Sequence, residues 1–352
     1  YLLAFFTIFC YFFNMHSEQQ IIIGESPSFL EIIEQTSRAA SHDRSVLIIG
    51  ERGTGKELIA SRLHFLSPRW EQKFIHVNCA ALPDTLLESE LFGHEAGSFT
   101  GAAGKRIGRF EDAHNGTLFL DEIATTSLSA QEKILRVTEY GTFQRVGSNK
   151  TIHTDVRIVG ATNIDLPTAA EQGNFRHDLL DRLALDVITL PPLRERTEDI
   201  TILANHFGQK IAQERGWYSF PNYSNDVLEE LIAYDWPGNI RELKNVIERS
   251  VYYAESENEP INEIILDPFL SPFRPIIKSP LPENAPQHQV LDTKKAPVTA
   301  PINYHQTIDV FEKELLQNAL EVNKFNQRHA ANFLSLSYHQ FRHQLKKHSL
   351  LP

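Results

Sequence analysis

The sequence predicts an α/β fold with a mostly parallel sheet, followed by an α-helical subdomain and a small all-α domain at the carboxyl end. Three observations predict it. An apolar run, Ser45-Val46-Leu47-Ile48-Ile49, leads straight into a glycine-rich loop, Gly50-Glu51-Arg52-Gly53-Thr54-Gly55-Lys56-Glu57. Short apolar runs then alternate with helical periodicity up to about residue 190, whereas strand patterns disappear after Thr197. Eight of the eighteen prolines lie between Pro268 and Pro301, which separates a last helical stretch from the rest as an extended tether.

In chain order, Tyr1 to Phe13 is apolar and uncharged. As a helix it would span about 20 Å, short of the roughly 30 Å of bilayer hydrocarbon, and no basic segment before it marks a signal peptide. Met15 is the single methionine. The natural start is therefore expected at Met15, with residues 1–21 a non-native extension and short leader; a membrane anchor is the alternative.

Residues 22–192 carry the α/β pattern. Strands are expected over Ser45 to Ile49, Phe74 to Asn78, Thr117 to Leu120, Val156 to Ala161 and Val187 to Leu190, with helices over Phe29 to Ala40, Leu58 to Leu66 and Ser129 to Thr138. In the loop from Gly50 to Glu57, glycines let backbone N–H groups close around an anion. Lys56 can neutralise β/γ-phosphate charge, and the following helix points its positive end at it. A nucleoside triphosphate is the expected ligand, a coincidental glycine turn the alternative. Glu57 stands where Ser or Thr would ordinarily touch magnesium.

Asn115-Gly116 then turns the chain into Thr117-Leu118-Phe119-Leu120-Asp121-Glu122, an apolar strand ending in two acids. Beside a phosphate loop, Asp121 is placed to hold magnesium and Glu122 to polarise the attacking water, unless both merely cap the helix from Ser127 onward. Asn78, at the end of its strand, is expected to hydrogen-bond and restrain Glu122. Thr162 and Asn163, at another strand end, are expected to orient the water. Arg176 and Arg182 are candidate arginine fingers for a neighbouring subunit's γ-phosphate, or surface arginines paired with Asp178 or Asp181.

Between Glu88 and Ala102 a helical start runs into repeated glycines around Phe99 and Thr100. This pattern suits a loop presenting Phe99 to a protein partner, or else folding it back on its own domain. His94 and His114 lack spaced ligand partners and read as ordinary polar residues.

Residues 193–260 read as a helical lid, broken by Trp236-Pro237-Gly238-Asn239, after which Arg241 can reach back to the phosphates. Residues 261–303 form the proline-rich linker. In residues 304–352, helices are expected over Ile308 to Glu321, Gln327 to Leu334 and Tyr338 to Lys347. Two short helices across a tight turn suit a helix-turn-helix, or a dimerisation module.

A net charge of −11 argues against a wholly nucleic-acid-coated surface, yet no Asp or Glu occurs from Lys324 onward, so a small basic reader fits the carboxyl end. Two cysteines, Cys10 and Cys79, provide neither a disulfide framework nor a metal cluster and suit a cytoplasmic setting.

These residues resemble a known family. From about Ile22 to Ser256 the chain is similar to the AAA+ activator domain of bacterial enhancer-binding proteins that work with sigma-54 RNA polymerase. Gly50 to Glu57 resembles its Walker A motif, Glu57 included, and Thr117 to Glu122 its Walker B motif. Gly97-Ser98-Phe99-Thr100-Gly101-Ala102 resembles its signature surface loop, and Trp236 to Leu243 its sensor II segment. Ser98 departs from the larger aliphatic or alanine-type residue usual there. Arg328 to His348 is similar to the family's Fis-type helix-turn-helix.

The resemblance implies an AAA+ P-loop ATPase using ATP and Mg2+ in a homo-oligomeric ring, six-membered by analogy with the family, that remodels the sigma-54 closed complex through Phe99 and Thr100. It further implies enhancer DNA contacts through Tyr338, His339, Arg342, Lys346 and Lys347, with Arg342 on a base and the lysines on phosphate. With no sensing domain expected ahead of residue 22, the architecture resembles members that serve a phage-shock or envelope-stress operon under a separate inhibitor protein, which places Trp70 at that contact. Two other classes stay open: an AAA+ ATPase remodelling another protein or DNA without sigma-54, and a DNA-binding regulator whose nucleotide site only controls assembly.

Overall fold

The computed structural model describes residues 22–98, 104–269, 304–323, 326–334, 336, 338–348 and 350. It divides into two compact units, residues 1–274 and 275–352. Phe99, Thr100 and the expected leader fall outside the described residues, as does the linker from residue 270 to 303.

The first unit is built on a five-stranded sheet in the order β2-β5-β8-β1-β9, where β1 is Val46–Ile49, β2 Phe74–Asn78, β5 Thr117–Asp121, β8 Arg157–Thr162 and β9 Val187–Thr189. All four pairings are parallel. Parallel strands need crossovers that cover both faces, and the burial follows: every residue of β8 is buried, as are Thr117 to Leu120 of β5. Two apolar cores result, one on each side of strands that alternate their side chains. Leu118 and Leu120 join one core, and Phe119 the other.

Local chemistry sets the boundaries. Asn115 takes φ +63 at the turn into β5, and a Cβ on Gly116 would stand 2.3 Å from the Lys73 carbonyl oxygen. Helix Leu128–Tyr140 starts under a Ser127 side-chain cap and stops at left-handed Gly141. Arg157, buried at the start of β8, donates to the carbonyls of Ala39 at 2.9 Å and Leu63 at 3.2 Å, where two helices end.

The expected strands and helices are present with ends shifted by a few residues. Helix Pro27–Ala40 starts earlier because Pro27 suits a first-turn position, and helix Lys56–Phe65 starts within the phosphate loop. Two antiparallel hairpins were not expected: β3, Gly93–His94, with β4, Arg106–Ile107; and β6, Thr142–Gln144, with β7, Thr151–His153. Strands of two or three residues are too short to show alternation.

The helical lid comprises Thr197–Glu214, Asn225–Ala233 and Asn239–Tyr253 around a core with Trp236 at its centre. Trp236 is fully buried, donates through Nε1 to the Leu231 carbonyl at 2.8 Å and meets the Tyr234 ring edge-on. Ile261 and Ile264, expected in the linker, are buried in this core, and Tyr223 bridges to Ile261. Their apolar side chains carry the lid past residue 260.

In the second unit, helices Tyr304–Val322, Gln327–Phe333 and Tyr338–Lys347 pack around Leu316, Leu320, Ala330, Ala331, Phe341 and Leu345. Among the described residues no helix is long and apolar enough to cross a membrane.

Candidate functional site

The site lies at the carboxyl ends of β1, β5 and β8. Gly53 and Gly55 adopt φ +80 and +97, conformations L side chains rarely take, and let the loop turn into helix Lys56–Phe65. Lys56 is buried, and its ammonium donates to the carbonyls of Gly50 at 2.9 Å and Glu51 at 3.2 Å. Burial lowers its pKa, while the nearby Glu122 and Asp121 carboxylates oppose the fall and Arg241 and Arg52 reinforce it. The loop lysine, both strand-end acids and Arg241 therefore share one field.

Asp121 pairs in register with Asn78, and its Oδ1 accepts the Glu122 N–H at 3.0 Å. Glu122 itself sits at φ +52, a left-handed conformation held by the turn that follows. The 3-10 turn is Ile123–Thr125, and Ser127 rather than Asp121 or Glu122 caps the next helix. Burial and these two acids push the Cys79 thiol up to about 12, so it stays protonated.

The two asparagines near the strand ends make different contacts. Asn78 accepts the Ala80 N–H at 3.0 Å, capping the 3-10 turn after β2, and no bond to Glu122 is found among the described residues. Asn163, with its amide oriented to suit its neighbours, donates to Glu122 Oε2 at 2.8 Å and accepts from Arg52 Nε at 3.3 Å. Thr162 is fully buried and its hydroxyl accepts the Ile164 N–H, so it shapes the turn that presents Asn163.

The lid meets the same loop. Arg194 bonds both Glu51 oxygens, at 2.6 and 3.0 Å, and Asn239 donates to Glu51 Oε2 at 3.0 Å. These partners hold the Glu51 carboxyl at about 2. The Ile240 N–H donates to the Gly53 carbonyl at 3.0 Å, next to Arg241. Arg194 and Asn239 carry no local sequence signal, because they lie 143 and 188 residues from Glu51.

Arg176 makes a two-pronged pair with Asp178, at 2.8 and 3.0 Å, and Arg182 pairs with Glu139 at 2.8 Å rather than with Asp181. Neither is bonded to Lys56, Asp121 or Glu122 among the described residues. Glu57 lies 3.4 Å from His76 Nδ1 in the first helical turn. Trp70 is 49 % exposed on a turn that Arg69 anchors to Asp43 and Asp155.

The glycine-rich loop rises from Gly93, at φ +74, and its roots are tied to the turn between β6 and β7. Arg145 in that turn bonds Glu95 at 3.0 Å and Glu111 at 2.6 Å, and Val146 exchanges backbone bonds with Gly93 and Glu95. His94 lies against the Ser89 hydroxyl, and His114 accepts the Asp155 N–H.

In the second unit, Phe341 and Leu345 turn into the core, leaving Arg342 half-buried and Lys346 exposed on helix Tyr338–Lys347. Tyr338 donates to Gln327. Lys347 is paired with Glu312 at 2.9 Å and Asp309 at 3.4 Å. The side chain of His339 lies outside the described set.

A phosphate loop, two strand-end acids, a docked lid and a helix-turn-helix define a class, and comparison with known proteins agrees. Residues 22–189 match the Sigma-54 interaction domain, 194–270 the AAA+ ATPase lid domain and 307–348 the Bacterial regulatory protein, Fis family. The chain belongs to the sigma-54 activator family, with its AAA+ α/β domain, helical lid and Fis-type helix-turn-helix.

It is 53 % identical over 329 residues to the Psp operon transcriptional activator of Escherichia coli (strain K12), covering 94 % of this chain and 98 % of that one. It is also 44 % identical over 282 residues to the Nif-specific regulatory protein of Azotobacter vinelandii, covering 80 % of this chain and 53 % of that protein. Among solved structures, NtrX from Brucella abortus in complex with ATP is similar, with a TM-score of 0.66 and 30 % identity over 99 % of this chain and 73 % of that one.

Proposed function

We propose that the chain hydrolyses ATP in an oligomeric ring and uses the cycle to convert a sigma-54 RNA polymerase closed complex into an open one at a phage-shock or envelope-stress operon in the cytoplasm. The observation that carries this reading is the shared site of Lys56, Asp121, Glu122 and Asn163 beneath a docked lid, in a member of the sigma-54 activator family. Gly50 to Glu57 cradles the triphosphate, and Lys56 leaves its carbonyl partners for phosphate oxygens.

The donor set fits magnesium: Asp121 offers hard carboxylate oxygen at a strand end beside the loop, where the ion would neutralise phosphate charge. Glu122 polarises water, and Asn163 releases or holds its carboxylate as the nucleotide changes. Arg176 and Arg182 leave their surface acids to reach the neighbouring subunit's γ-phosphate. Phe99 and Thr100 contact sigma-54, and the Arg145 ties at the loop roots transmit the change. Tyr338, His339, Arg342 and Lys346 face enhancer DNA; Lys347, held by Glu312, meets phosphate less directly. An inhibitor protein covers exposed Trp70.

The test is binding to purified sigma-54 in ADP with aluminium fluoride, comparing the natural chain with Phe99→Ala. Trapped binding lost in the variant supports the reading. Normal ATP hydrolysis with no trapped binding sinks it.

A further inference from the structure

The middle of the phosphate loop is shaped by the lid. Asn239 is wholly buried at φ +53, an uncommon conformation for a residue with a side chain. Its Oδ1 accepts the Leu193 N–H at 2.8 Å, while its amide nitrogen donates to Glu51 Oε2 at 3.0 Å and to the Arg52 carbonyl at 3.1 Å. One residue couples the first lid turn, the lid helix Asn239–Tyr253 and the phosphate loop.

Two further ties act in parallel. Arg194 grips both oxygens of Glu51 in the planar geometry a guanidinium offers a carboxylate. The Ile240 N–H holds the Gly53 carbonyl, and a Cβ on Gly53 would stand 2.3 Å from the Gly238 carbonyl oxygen, so loop and lid backbones are in close approach there. Glu51 to Gly53 supply backbone N–H groups to the expected phosphate cradle. Their conformation is set from the lid side.

We propose that Asn239, Arg194 and Glu51 are positioning residues that hold the phosphate loop in its binding conformation while the lid is docked, so that lid position sets nucleotide affinity. This rests on the nucleotide reading above. Loosening the ties costs the same in the ground and transition states, because the loop must be reordered before either is bound. The expected signature is a raised KM at nearly constant kcat.

Steady-state ATP hydrolysis by the full chain tests it. Arg194 is partly exposed, so Arg194→Ala removes the grip without opening the core. It should raise KM for ATP by about fivefold or more with kcat within about twofold. Arg194→Lys keeps the charge and can still hold one Glu51 oxygen, so it should recover part of the loss. Asn239→Asp keeps the acceptor for Leu193 but sets a second carboxylate against Glu51, and should raise KM likewise. An unchanged KM in Arg194→Ala, a fall in kcat equal to that in kcat/KM, or an Arg194→Lys no better than Arg194→Ala would overturn the proposal. A natural chain that binds and hydrolyses no ATP would instead sink the nucleotide reading itself.

Discussion

The phosphate loop is held on two sides by different means. On the sheet side, Asp121, Glu122 and Asn163 sit at or just beyond strand ends, each placed by its own strand and the turn after it, and they face Lys56 where the loop enters its helix. On the lid side, Arg194 in the 3-10 turn Leu193–Glu195 and Asn239 and Ile240 at the start of helix Asn239–Tyr253 hold Glu51 to Gly53. The sheet side carries groups suited to the reaction, and the lid side carries groups that shape the loop. Chemistry and positioning are thus divided between two subdomains meeting at one loop.

The largest expected effect breaks the sheet side alone. Glu122→Gln should lower the rate of ATP hydrolysis about 10²- to 10⁴-fold while nucleotide binding is retained. Phosphate release measured beside equilibrium nucleotide binding checks this; near-normal turnover would remove Glu122 from its role. Next comes the lid. Trp236→Ala deletes a fully buried ring and its bond to Leu231, and should destabilise the lid by about 3–5 kcal/mol. Denaturant unfolding followed by tryptophan-independent far-UV signal measures it, and a loss below about 1 kcal/mol would mean the lid core can collapse around the gap.

The smallest effect is a pH dependence of the joint between the two sides. The Glu51 carboxyl stands at about 2 in the fold against an ordinary value of 4.5. Because the folded value is depressed, the stabilisation is fully present above about pH 4.5 and is lost as pH falls toward 2. Half-exposed groups are screened by water, so its size should be under about 1 kcal/mol. The difference in unfolding midpoint between the natural chain and Glu51→Gln should shrink as the pH is lowered through that window. A difference that grows would contradict the assignment.

The same division explains what the sequence made legible. Strand, glycine loop and helix are continuous in sequence, so Gly50 to Glu57 and Thr117 to Glu122 declared both fold and chemistry locally. The α/β domain, the lid and the helix-turn-helix followed from periodicity and from the proline cluster. The lid ties were silent, because Arg194 and Asn239 lie 143 and 188 residues from Glu51. Arg145 was silent for the same reason, its acids lying 50 and 34 residues away. Asn78 ends β2 and Asn163 lies just after β8, and nothing local in the sequence shows that the first bonds the Ala80 N–H while the second faces Glu122.

The most direct test is promoter melting by sigma-54 RNA polymerase on a template carrying an upstream enhancer, with the purified chain and ATP. Opening is expected with ATP, none with ADP, and none with Glu122→Gln. Normal ATP hydrolysis without opening on any sigma-54 promoter would contradict that expectation.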